Sequence, residues 1–71
     1  MPAKEMFEEL GFEFVDENRY SGVCIIYRKP YSKVEVFFIK SVKTYCLYNS
    51  RDVSVELHKA ITQQLKELGW L

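Results

Sequence analysis

Apolar residues recur along this chain in two rhythms, and the change of rhythm divides it into three stretches. Near the start, Ala3, Met6, Phe7 and Leu10 repeat at helical spacing, while Lys4, Glu5, Glu8 and Glu9 fall on the opposite side. Pro2 suits a first helical position, where its missing N–H is not needed. Gly11 supplies the left-handed residue that stops such a helix, with Phe12 folding back onto Phe7. At the far end, Val53, Leu57, Ala60, Ile61, Leu65 and Leu68 form a second helical stripe over residues 53–68. Asp52 is the expected N-cap, and Lys66 lies where the macrodipole favours a cation. Gly69 repeats the stop, and Trp70 is expected to pack onto Leu65 rather than anchor a partner.

Between the helices the rhythm turns to alternation in Val, Ile, Phe and Tyr, which predicts strands at 12–16, 22–28, 33–40 and 43–49. Their short connections favour an antiparallel meander over crossovers. The prediction is an α+β fold in two layers: an N-terminal helix, a four-stranded antiparallel meander sheet and a C-terminal helix, αββββα. With residues 29–32 as the second loop, Arg28 faces Lys33; with Ser41 and Val42 as the third turn, Lys40 faces Lys43. Ser-Val lacks the Gly or Asn of a tight primed turn, which leaves room for a wider loop. Both registers place Val23, Ile25, Tyr27, Val34, Val36, Phe38, Tyr45 and Leu47 on one face, the expected seat of the helices.

The other face then carries Cys24, Ile26, Phe37, Ile39, Cys46 and Tyr48. An antiparallel sheet covered on one side is usually polar on the other, so this greasy set is the candidate protein interface. It is met either by a second copy of the chain, by another protein, or by a helix that crosses to that side. Cys24 and Cys46 are expected to flank Phe37 in one cross-strand row, two strand spacings or ~9.5 Å apart, too far for a disulfide.

Composition narrows the function classes. The chain has 71 residues, 48% hydrophobic and 15% aromatic, which fits one small folded domain of modest stability. Formal net charge is zero, against an obvious polyanion binder. Arg28, Lys29, Lys33, Lys40 and Lys43 nevertheless cluster in the sequence near Tyr31, giving an alternative reading as a nucleic-acid-binding accessory protein. No apolar run is long enough for a membrane span, and no apolar signal core opens the chain. Two free thiols then point to a reducing cytoplasm. His58 is the one histidine, and no zinc set, phosphate loop or nucleophile–base pair is legible, so no enzyme, cofactor, metal or small-molecule substrate is expected.

The ends of the chain carry a resemblance. Phe7-Glu8-Glu9-Leu10-Gly11-Phe12 near the start, and Glu56-Leu57 with Ala60, Ile61, Gln64 and Glu67-Leu68-Gly69-Trp70 at the finish, resemble short uncharacterised proteins of phages and prophages of Gram-positive bacteria. That resemblance implies a bacterial or infected-cell cytoplasm and transfers no functional residue. The leading expectation is a non-enzymatic protein-interaction module that associates with itself.

Overall fold

The computed structural model describes residues 1–15 and 24–71. Its elements run α1 (Ala3–Glu9), β1 (Glu13–Val15), β2 (Cys24–Lys29), β3 (Val34–Ile39), β4 (Thr44–Tyr48) and α2 (Val55–Glu67). The four strands form one antiparallel sheet in the order β1-β2-β3-β4, the expected meander. The expected loop 17–21, Val23 and the first positions of the second strand lie outside the described residues.

Both helices end as the glycines foretold. Gly11 at φ 91° lets Phe12 N–H reach the Phe7 carbonyl at 3.0 Å, and Gly69 at φ 78° lets Trp70 N–H reach Leu65 at 2.9 Å. The helix starts differ from expectation. Pro2 is the N-cap of α1 rather than its first helical residue. The Ala3 N–H it leaves open donates to the Glu67 carboxylate at 2.8 Å, so the end of α2 caps the start of α1. Ser54, not Asp52, caps α2: its hydroxyl accepts from Leu57 N–H at 3.1 Å. Val53 therefore stays outside the helix and exposed.

The β2–β3 register corrects the sequence reading by two positions. Arg28 pairs with Glu35, Tyr27 with Val36 and Ile25 with Phe38. The loop is 30–33, and Lys33 N–H closes it on the Lys29 carbonyl at 2.8 Å. Two costs of the expected register explain the shift. It set Arg28 against Lys33, and like charges directly opposite destabilise a sheet. It also put Pro30 second in the turn, a disfavoured place, whereas in the observed loop Pro30 comes first. The shift is even, so no strand is inverted. In the β3–β4 hairpin Phe38 pairs with Tyr45 and Val36 with Leu47, as expected, around the wider loop 40–43. Each of these two loops ends on a left-handed lysine, Lys33 at φ 59° and Lys43 at φ 53°.

The core lies between the helices and one sheet face. Phe7, Phe12, Leu57, Ala60 and Ile61 close over Ile25, Tyr27, Val36 and Phe38. Phe7 stacks on Tyr27 with ring centroids 3.9 Å apart, and Phe38 meets each of these rings edge-on at 6.3 Å. Aromatic pairs of this geometry are worth about 0.5–1.5 kcal/mol each beyond the area they bury. Gln64 sits on the apolar stripe of α2 because it accepts the Tyr27 hydroxyl at 2.7 Å. No buried side-chain polar atom among the described residues lacks a partner.

Three outcomes follow for urea unfolding. Ser54→Ala should cost about 1 kcal/mol, while Asp52→Ala should stay within about 0.5 kcal/mol of the parent; equal losses would restore Asp52 as the cap. Tyr27→Phe orphans the Gln64 amide and should cost about 1–3 kcal/mol, part of which Tyr27→Phe/Gln64→Leu recovers. Burial first, then the charges of Glu67 and Glu8, push the Tyr27 phenol from 10.0 up to about 12. Its contribution is therefore whole below pH 10 and is lost as pH rises from 10 to about 12. Across that window the stability gap between parent and Tyr27→Phe should narrow; a gap independent of pH would contradict the assignment.

Candidate interaction surface

Among the described residues, three cross-strand rows lie on the sheet face turned away from the helices. The middle row is Val15-Ile26-Phe37-Cys46, apolar from edge to edge. Beside it runs Glu13-Arg28-Glu35-Tyr48, and on the other side Cys24-Ile39-Thr44. Helix residues pack with Ile25, Tyr27, Val36 and Phe38, so the alternative of a helix crossing to the far face is set aside.

Burial along the face is uneven. Ile26, expected to be exposed, is only 1% accessible within the single chain and offers nothing to a partner. Cys24, Phe37, Ile39 and Cys46 are half-buried. Tyr48 is 52% accessible, and its ring meets that of Phe37 edge-on at 5.0 Å. The available surface therefore leans toward β4.

The two-position register shift also moves the cysteines. Cys24 stands opposite Ile39, and Ile26 takes the place beside Phe37 that Cys24 was expected to fill. Cys46 holds its expected place on the other side of Phe37. Both thiols are free. Cys46 touches the Tyr48 phenol and raises its pKa, first by charge and then by a hydrogen bond, with smaller contributions from desolvation and Glu35.

The basic set does not form one footprint. Arg28, Lys29, Tyr31 and Lys33 gather at the β2–β3 hairpin, while Lys40 and Lys43 belong to the hairpin at the opposite end of β3. Six residues of extended chain separate the two groups, roughly 20 Å. Arg28 is also engaged: its Nε donates to Glu35 at 3.0 Å, and Glu13 stands on its other side in the register. Lys29 Nζ lies 5.7 Å from the Phe12 ring centroid. Tyr31 and Lys33 are exposed at the hairpin tip, beside a cleft of about 380 Å³ lined by Arg28, Pro30, Lys33, Glu35 and Asn49.

Sequence reasoning missed the outer edge of β4. Thr44, Tyr45, Cys46, Leu47 and Tyr48 hold neither a charge nor a proline, and the strand ends the sheet. An uncharged strand at the end of a meander was the available signal, passed over in favour of the face. Among the described residues, no group of His, Cys, Asp or Glu is gathered to hold a metal ion, and no helix is long and apolar enough to cross a membrane. The geometry defines a two-layer α+β domain with one covered sheet face and one partly greasy, partly open face. Comparison with known proteins finds no matching family model, curated protein or solved structure.

Proposed function

We propose that this chain is a non-enzymatic protein-interaction module that associates with itself through the far face of its sheet. The observation that carries the reading is the placement of half-buried Phe37, Ile39 and Cys46 beside exposed Tyr48, on the side that neither helix packs against. Contiguous apolar surface of this kind marks partner sites more often than bare solvent contact. Aromatic residues are favoured at such sites because a rigid ring buries a large area at a small entropic cost. A second copy is the simplest occupant, since a patch of one chemistry complements itself across a two-fold axis. The phage or prophage setting belongs to the same proposal and rests on the sequence resemblance alone.

Light scattering across a concentration series tests the reading. The parent should approach the mass of two chains as concentration rises. Phe37→Ser should remain a monomer with an unchanged circular dichroism spectrum, while Tyr31→Ser, at the hairpin tip, should behave as the parent. A parent chain that stays monomeric at millimolar concentration would sink the proposal.

A further inference from the structure

The sheet has two outer strands, and they are protected differently. β1 opens on Glu13, and its Phe14 ring lies 5.4 Å from Lys4 Nζ. Charge on a strand is a usual device that keeps an edge from pairing with another chain. β4, Thr-Tyr-Cys-Leu-Tyr, has no charge within it. No strand among the described residues pairs with its outer side, so alternate backbone N–H and C=O groups there face outward.

We propose that two copies of the chain pair antiparallel along β4, about a two-fold axis that passes between their Cys46 residues. The inference rests on the self-association reading above, and it places the contact at the β4 edge that borders the far face rather than on that face itself. A two-fold axis normal to the sheet must keep each face on its own side, so it can centre only on a residue. Centring on Cys46 is the one choice that pairs all five residues of β4 with all five of the second copy. Centring one residue earlier sets Lys43 against Leu47, and one later leaves Thr44 and Tyr45 beyond the end of the partner strand. In the Cys46 register no like charges meet, and Lys43 falls opposite Asn49 of the second copy.

The side chains gain from the same register. On the helix side, Tyr45, which is 43% accessible, comes to lie against half-buried Leu47 of the second copy. On the far side, Thr44 meets Tyr48 and the two Cys46 residues face each other, joining the two greasy patches into one. A five-residue ladder with these contacts is smaller than the ~1,600 Å² of a standard interface, so the pair exchanges and associates in roughly the micromolar range.

Facing residues in an antiparallel pair have Cα atoms about 4.5–5.5 Å apart, inside the roughly 4.4–6.8 Å window for a disulfide. The experiment is brief diamide treatment of the full chain at concentrations that favour association, read by non-reducing electrophoresis and peptide mass. Diamide accepts the two electrons and two protons that a pair of thiols gives up as the S–S bond forms. The expected product is a dimer linked Cys46 to Cys46, retained in Cys24→Ser and absent in Cys46→Ser. Cys46→Lys, which sets two ammonium groups face to face, should weaken association by roughly fivefold, its fold checked by circular dichroism. A parent that dimerises in light scattering without a Cys46–Cys46 product overturns the β4 arrangement alone. Unchanged association of Cys46→Lys does the same. A parent monomeric throughout overturns the arrangement together with the reading it rests on.

Discussion

The Tyr27 side chain is the contact on which the two layers depend. Its ring lies flat on Phe7 of α1, 3.9 Å between centroids, and its hydroxyl donates to Gln64 of α2 at 2.7 Å. Phe38 from β3 and Phe14 from β1 press on its edges at 6.3 and 5.6 Å. One residue of a central strand thus touches both helices and both flanking parts of the sheet. Such a group must be almost wholly buried to do so, and a buried hydroxyl without a partner costs more than the ring contacts of one face return. Gln64 is therefore required on a helix face that is otherwise apolar. The pair sets how α2 is rotated over the sheet, because only one side of that helix presents position 64 to β2.

With α2 placed in this way, its last turn comes to the start of α1, where the Glu67 carboxylate receives the Ala3 N–H. A seven-residue helix has little stability of its own, and this carboxylate satisfies a donor that Pro2 cannot cap. The helices are thereby committed to the Tyr27 side of the sheet. Neither helix packs on the other side of the sheet, where Tyr48 is 52% accessible. The sheet edges differ in the same layout: α1 lies near β1, while no described strand pairs with the outer side of β4.

The order of elements, both helix stops and the assignment of residues to the two sheet faces were legible in the chain. Glycine placement, helical spacing and strand alternation are local signals, and they agree with one another. The β2–β3 pairing was legible as well, had charge and proline been weighed: Arg28 finds Glu35 only when Pro30 opens the loop. The candidate surface was legible as a set of residues but not as an area. Alternation assigns Ile26 to the far face and cannot tell that it is covered, because cover depends on what lies across it.

By itself, the sequence determined which side chains share a face and where the helices end, since both follow from backbone periodicity and the left-handed tolerance of glycine. Only the tertiary structure decided that Gln64 is buried and that Ile26 is shielded while Tyr48 stays open. Those outcomes turn on distances between residues far apart in the chain, such as the 37 positions between Tyr27 and Gln64. A hydrogen bond or an occluded surface of that kind is a property of two elements brought together, and neither element carries it alone.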